Sequence, residues 1–425
     1  MKRRDFIRMS SIATAAAGVG LVACSNKNKF VLNEVPENSR LRLGIIGVGS
    51  RGSGILKVLK QVPEFKVVAV CDTFDFRLEA AKKNIPNDFQ TFKKYEALLS
   101  MKGLDAVIIA TPLYEHYRMV MTALDCDVHI LCEKALAYTI EQSMAIKKKA
   151  NLSNKIFQIS YQYQLNPMFQ TIKDLIANGY MGKITRVEAT WDRNNSWRRP
   201  LPDKTVVQGF SKEELDRRIN WRMYKEYSGG LNAELGSHQY NMIDNLLGAH
   251  PTRVMGTGGI DYWKDGRETF DNVHMLFDYP NGVKAGFHSG TTNKYEGYQL
   301  KLYGKKATIV SKNMSEAFIY PEGESLEKSW KDGVDSVSGA TIKLIDDDKK
   351  HQMKPMNSQG IIYPTDNFSH NASWMLYKNF AAAINEEEEL LLGLKDGYQS
   401  AISVHMANQA VRNSEIVEWR AEYDI

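Results

Sequence analysis

Cysteine is scarce in this 425-residue chain: Cys24, Cys71, Cys126 and Cys132 are too few and too scattered for a disulfide framework or a regularly spaced zinc site, and no metal is expected. Net charge is also small, since 55 Lys and Arg against 50 Asp and Glu leave +5. Part of that excess sits at the start, where Lys2, Arg3, Arg4 and Arg8 are opposed only by Asp5. No basic stripe of the kind that binds nucleic acid remains, so nucleic acid is not an expected partner. Long apolar runs are missing too: Met9 to Ala23 is uncharged but short for a bilayer-spanning helix. Repeats of fixed period and low-complexity segments are likewise lacking. What is there, 43% apolar and 25% charged residues, excludes a disordered or fibrous protein. The length allows two globular domains, because one core rarely grows beyond ~250–300 residues.

The N-terminus reads as an address. Arg3-Arg4-Asp5-Phe6-Ile7-Arg8 precedes the apolar stretch, which ends in Leu21-Val22-Ala23-Cys24. The paired arginines resemble a twin-arginine export signal, and Leu-Val-Ala-Cys resembles a bacterial lipobox. The expectation is an export signal over 1–23, lipidation at Cys24, and a polar tether over 24–40 that includes Pro36. The protein would then be periplasmic or an outer-membrane-anchored lipoprotein, touching membrane only through the lipid on Cys24. An ordinary cleaved signal with a chance cysteine is the alternative. Cys71 and Cys132 close apolar runs and read as buried free thiols.

From Leu41 onward, short apolar runs recur at Leu41 to Ile46, Lys66 to Val70, Ala106 to Ala110, His129 to Cys132 and Ile156 to Ile159, with amphipathic stretches between them. Runs buried on both faces and joined by crossover helices predict a parallel, doubly wound α/β sheet over 41–160. The first run leads into Gly47-Val48-Gly49-Ser50-Arg51-Gly52 and then a helical stretch, and Asp72 ends the next run 20 residues after Gly52. In that setting GxGxxG is a dinucleotide-binding turn. Gly47 permits the tight turn, Gly49 the approach of a pyrophosphate, and Gly52 the packing of helix on strand, while the helix N-terminus, with Ser50 and Arg51, receives the phosphates. Asp72 would accept from the ribose hydroxyls and repel a 2′-phosphate, favouring NAD, with Arg77 blurring the preference towards NADP.

After Tyr161 the pattern changes. Thr185 to Trp191, His274 to Tyr279, Val283 to His288 and Gln299 to Tyr303 alternate apolar and polar residues, with turn signals such as Pro280-Asn281-Gly282. This predicts an α+β domain over 161–425 with an open, mostly antiparallel sheet and closing helices at Trp374 to Asn385 and Lys395 to Asn413. Ile402, Met406 and Ala410 in the last helix read as core. The free face of the sheet suggests self-association as a dimer or tetramer.

Taken together, Gly47 to Gly52, Ala110-Thr111-Pro112, Cys132-Glu133-Lys134, Gly179-Tyr180-Met181-Gly182-Lys183-Ile184 and the segment Gly229 to His238 resemble the glucose-fructose oxidoreductase, inositol dehydrogenase and rhizopine-catabolism family, Gfo/Idh/MocA, as an exported bacterial member. The resemblance implies a Rossmann domain holding NAD or NADP, with Thr111, Pro112, Glu133 and Lys134 beside the cofactor. It also implies a substrate between the nicotinamide and the helix bearing Glu234 and His238. Two departures stand out: Ala135 follows the Glu-Lys pair where the family has proline, and Glu234 takes the place of an aspartate. His116 either borders the cofactor or packs.

Oxidising a secondary alcohol with NAD requires a base for the hydroxyl proton, with a pKa near working pH. His238 has this intrinsically, Lys134 is an oxygen polariser or second proton carrier, and Glu234, four residues before His238, can orient the imidazole. Resemblance places Tyr161, Tyr163 and Asn166 beside the substrate. Arg193, Trp197, Arg198 and Trp221 supply aromatic faces and directional polar groups suited to a polyhydroxylated ring. The expected activity is oxidation of a secondary hydroxyl of a sugar or glycoside, for instance at C3 to a 3-keto sugar, with the cofactor tightly held. A redox-neutral NAD-dependent glycosidase of the same fold is the second reading, and a non-catalytic sugar or nucleotide sensor the third.

Overall fold

The computed structural model describes residues 35–85, 88–201, 210–312, 314, 316–322 and 372–425. The expected export signal and the lipid site at Cys24 lie outside the described residues. Short apolar runs become β1 (Leu41–Ile46), β2 (Phe65–Cys71), β3 (Gln90–Phe92), β4 (Ala106–Ile109), β5 (His129–Cys132) and β6 (Phe157–Ile159), in the order β3-β2-β1-β4-β5-β6. Every pairing is parallel. From Leu43 onward the side chains of β1, and all those of β4, are buried on both faces, which is why these strands read as unbroken apolar runs. β3 escaped the pattern because Gln90-Thr91-Phe92 is a short, partly exposed edge strand without an apolar run. Strand order reverses between β1 and β4, the switch point at which such sheets open a ligand crevice.

The second sheet comprises β7 (Ile184–Trp191), β8 (Arg253–Gly259), β9 (Asn272–Asp278), β10 (Lys284–Gly290), β11 (Tyr298–Gly304), β12 (Ala307–Lys312), β13 (Glu316–Pro321) and β14 (Val417–Glu418), in the order β13-β12-β11-β7-β10-β9-β8-β14. All pairs are antiparallel except the central β7–β10 pair, which is parallel. Alternation sorts the faces: Val273, Met275 and Phe277 are buried, whereas Leu276 is 57% exposed. Helix Ser237–Leu247 covers the buried face, with the Tyr240 ring 4.6 Å from Phe277 and 5.2 Å from Phe287.

Two helices at the end of the chain tie the sheets together. Helix Ala372–Ile384 returns to the first sheet, where Trp374 Nε1 donates to the Gln61 carbonyl at 2.8 Å and the Phe380 ring lies 5.9 Å from Phe65. Helix Leu394–Asn413 packs on β6 and β8 and on Ser237–Leu247, with Ile402, Met406 and Ala410 buried. Its Gly397 allows the close approach, since a β-carbon there would lie 2.2 Å from Ile159 Cγ1. Cys71 and Cys132 are buried free thiols.

The glycine turn sets the entry to the first crossover. Gly47 has φ +89°, and a β-carbon at Gly52 would lie 2.0 Å from the Gly47 carbonyl oxygen. Gly52→Ala should therefore lower stability by about 1–3 kcal/mol through overpacking, read as a drop in the urea midpoint, and weaken nucleotide retention. An unchanged midpoint would contradict this account of the turn.

Candidate active site

The cofactor cradle is built from β1, the glycine turn and helix Ser50–Leu59. Gly49 caps that helix and no side chain occupies its first-turn amides, leaving Ser50, Arg51 and Gly52 to present N–H groups to phosphate. Asp72 lies buried at the end of β2 and accepts from the amides of Val48 and Phe74, each at 3.0 Å. Arg77 stands 3.6 Å from Asp72 and stacks over Phe74 at 4.7 Å. Asp72 thus braces the turn, and each of its oxygens keeps a lone pair for a ribose hydroxyl. The open helix terminus and the glycines of the turn fit a dinucleotide.

Arg51 and Glu133, both expected to contact the cofactor, are committed to each other instead. Arg51 Nε donates to Glu133 Oε1 at 2.6 Å and Nη2 to Ser160 Oγ at 3.2 Å, while Ser160 Oγ donates to Glu133 Oε1 at 2.9 Å. Burial opposes the guanidinium charge, but Glu133 outweighs it and raises the Arg51 pKa. The main-chain N–H of Arg51 and its Nη1 group are left for the cofactor. Thr111 and Pro112 lie where expected, after β4, with Pro112 capping helix Leu113–Ala123. His116 is buried with Nδ1 2.8 Å from the Ala135 carbonyl and Nε2 3.1 Å from that of Thr111, so its ring braces the two loops flanking the crevice.

Lys134 crosses to the second sheet's helical layer, where Nζ donates to the carbonyls of Ala233 at 3.1 Å and Glu234 at 2.6 Å. Burial pulls its pKa down to about 8, against the raising effect of Glu234 and Glu133. The carbonyls belong to a π-turn, Asn232–Gly236, that runs directly into helix Ser237–Leu247. Such turns recur at functional sites because they re-aim side chains within a helix. Here the turn puts His238 in an aromatic box, with ring distances of 4.6 Å to Tyr163, 5.7 Å to Tyr161 and 5.7 Å to Trp191. Burial first, then the charges of Lys134, Arg51 and Arg193, hold the imidazole pKa well below its usual 6.5, so the ring is neutral.

Glu234 does not orient His238. Its Oε2 accepts from Arg222 Nε at 2.7 Å, and His238 Nδ1 has no hydrogen-bond partner among the described residues. The physical reason is competition: Arg222, stacked 4.3 Å over Trp221, offers a full charge, which a neutral imidazole cannot. Trp221 therefore acts through Arg222.

Three other residues assigned to the substrate do structural work. Asn166 caps helix Pro167–Ala177 by accepting from the Met168 amide at 2.9 Å, and its Nδ2 donates to the Met314 carbonyl at 2.9 Å. Arg198 pairs with Asp216 at 2.9 Å and donates to the Asp265 carbonyl at 2.7 Å. Trp197, at φ +63°, packs against the core. Tyr161, Tyr163 and Arg193 remain around His238, and Trp191 and Tyr298 join them with rings 5.1 Å apart. Tyr298 faces Trp191 across the β11–β7 register, a pairing without a local sequence signal.

A phosphate cradle and a lysine on one sheet, facing an uncharged imidazole from the other, are the layout of an NAD-binding oxidoreductase. Residues 41–161 match the "Oxidoreductase family, NAD-binding Rossmann fold" and residues 169–310 the "GFO/IDH/MocA C-terminal domain", so the chain belongs to the Gfo/Idh/MocA family. It is 23% identical over 361 residues to scyllo-inositol 2-dehydrogenase (NADP(+)) IolW of Bacillus subtilis (strain 168), covering 84% of this chain and 90% of that protein. A glycosyl hydrolase family 109 protein 2 of Shewanella sp. (strain ANA-3) is 26% identical over 251 residues, 54% of this chain and 52% of its own. Among solved structures, the WlbA dehydrogenase from Bordetella pertussis in complex with NADH and UDP-GlcNAcA superposes with a TM-score of 0.69 at 17% identity, covering 90% of this chain and 99% of that one.

The capping role of Asn166 separates packing from substrate contact. Asn166→Ala should cost about 1 kcal/mol of stability, the usual value of an N-cap, without changing KM for any saccharide substrate. A raised KM at unchanged stability would return Asn166 to the substrate.

Proposed function

We propose that the protein uses NAD to oxidise a secondary hydroxyl of a sugar or glycoside, with His238 receiving the hydroxyl proton and Lys134 holding the oxygen. The observation that carries this reading is the pairing of a neutral, buried imidazole with a neighbouring ammonium across the crevice. When bound, NAD supplies the hydride acceptor. Two of the three N–H groups of Lys134 rest on carbonyls, and the third is free for the substrate oxygen, where its charge offsets developing alkoxide. His238 presents an unprotonated nitrogen. Tyr163 and Trp191 offer apolar faces to the C–H face of a pyranose ring or an inositol, and the buried Tyr161 ring packs edge-on against His238.

The protonation states required are opposite. His238 must be neutral, so activity is lost as pH falls through its pKa, which lies well below 6.5. Lys134 must be charged, so activity is lost as pH rises past about 8. The kcat/KM profile should therefore have an alkaline limb near pH 8 that disappears in Lys134→Met, with kcat reduced ~10²–10⁴-fold. An alkaline limb retained in that variant would remove Lys134 from the mechanism.

The twin-arginine-like segment and Leu21-Val22-Ala23-Cys24 support an exported lipoprotein. Soluble NAD is scarce outside the cytoplasm, which favours a cofactor loaded before export and retained. Retention gives weight to the second reading, a redox-neutral glycosidase, which the similarity to the family 109 glycosyl hydrolase also favours. Incubating the purified protein with a panel of glycosides decides between them. A 3-keto product with reduced nucleotide identifies the dehydrogenase, and a freed monosaccharide without net reduction the glycosidase. A folded product with no nucleotide absorbance and no turnover of any glycoside would overturn both.

A further inference from the structure

Charge around His238 is not balanced. Arg51 is neutralised by Glu133 and Arg222 by Glu234, and Lys134 rests on two carbonyls. Arg193 has no such partner: among the described residues its guanidinium makes no hydrogen bond or ion pair, and its one close contact is the Trp191 ring, 5.2 Å away. The Arg193 amide donates to the Gly290 carbonyl at 2.9 Å, which fixes the residue just past the end of β7. Trp191 is in turn 5.7 Å from His238 and 5.9 Å from Tyr163, ring to ring.

Position separates this cation from the cofactor. The groups that act electrostatically on Arg193 are Tyr163, Arg222 and Glu234, all on the His238 side. Arg199 shares Arg222 and Glu234 with Arg193 and is in addition close enough to Arg77, beside the glycine turn, for the two charges to interact. An aromatic face steadies a guanidinium without cancelling its charge or using its N–H groups. A half-buried arginine in that state is a preformed fork for a planar or tetrahedral oxyanion.

We infer that Arg193 anchors an oxyanion on the substrate, a carboxylate, sulfate or phosphate monoester carried by the sugar, so that the protein acts on acidic rather than neutral saccharides. This inference rests on the dehydrogenase reading for the location of the reacting hydroxyl. The Trp191 plane takes the ring, Arg193 takes the charged substituent, and the hydroxyl between His238 and Lys134 is the one that reacts.

The test uses the full-length holoprotein and matched pairs: methyl glucoside against methyl glucuronide, glucose against glucose 6-sulfate, and glucose against glucose 6-phosphate. Turnover is read from nicotinamide absorbance, and binding from quenching of tryptophan fluorescence. At least one acidic member should show a KM or dissociation constant about tenfold below its neutral counterpart, as one charge-assisted pair provides. Which pair shows it identifies the oxyanion. Arg193→Met should erase that ratio, and Arg193→Lys should restore part of it. Equal or better use of every neutral member overturns the inference, as does a ratio that survives in Arg193→Met. If no saccharide is oxidised, the dehydrogenase reading fails, and the binding ratio and its response to Arg193→Met still decide the role of Arg193.

Discussion

The pair formed by Arg51 and Glu133 is the interaction on which the site depends. Arg51 belongs to the helix whose first turn would receive the cofactor phosphates, and Glu133 immediately precedes Lys134, so one part-buried contact fixes the glycine turn and Lys134 as a unit. Ser160, beyond β6, closes the triangle and saturates the shared carboxylate oxygen. Removing Arg51 would strand the buried Glu133 carboxylate, whereas removing Glu133 would leave a guanidinium that solvent still reaches. Lys134 then reaches the π-turn of the other layer, and the two halves of the crevice are held by its ammonium. The C-terminal helices support the same geometry from behind, because Gly397 lets helix Leu394–Asn413 lie directly on β6.

Given that framework, protonation follows from burial rather than from residue type. Lys134 and His238 sit close enough for the charge of one to depress the pKa of the other. An ammonium that stays charged and an imidazole that stays neutral are thereby enforced together, the division a hydroxyl oxidation requires. Glu234 would disturb this division if it bonded to His238, since a carboxylate favours imidazolium. Its capture by Arg222 leaves the imidazole uncharged, so the departure from the expected helical pair strengthens the assignment of His238 as proton acceptor.

The first sheet was legible because unbroken apolar runs and a glycine turn are local signals, and only the polar edge strand β3 lacked one. The second sheet was legible as alternation, but the parallel β7–β10 pairing was not, because strand order is set by contacts across the whole domain. Within the candidate site, the glycines, Lys134 and His238 were nominated by motif, and the fold brings them to one crevice. Asn166 was nominated by resemblance, and the neighbouring Pro167, a helix-start signal, marks the capping role it plays in the fold. Glu234–Arg222 and Arg198–Asp216 join residues 12 and 18 positions apart across turns, and no periodicity connects them. The lowered pKa values were invisible for a related reason: they come from burial, and burial of a polar side chain is a property of the assembled crevice.

That burial carries a cost with a definite sign. Lys134 falls from 10.5 to about 8 in the folded chain, so the folded state binds its proton less well than the unfolded chain does. Below about pH 8 both states hold the proton and the fold bears the full penalty, which fades as pH rises from about 8 towards 10.5. His238, with Nδ1 lacking a partner, and Arg193, without a counter-charge, add to the same side. Three polar groups left incompletely satisfied along one crevice are costly as architecture and useful as a site, since a substrate that satisfies them recovers the energy on binding. The fold can sustain this because both sheets and the closing helices behind the crevice are packed with buried apolar side chains.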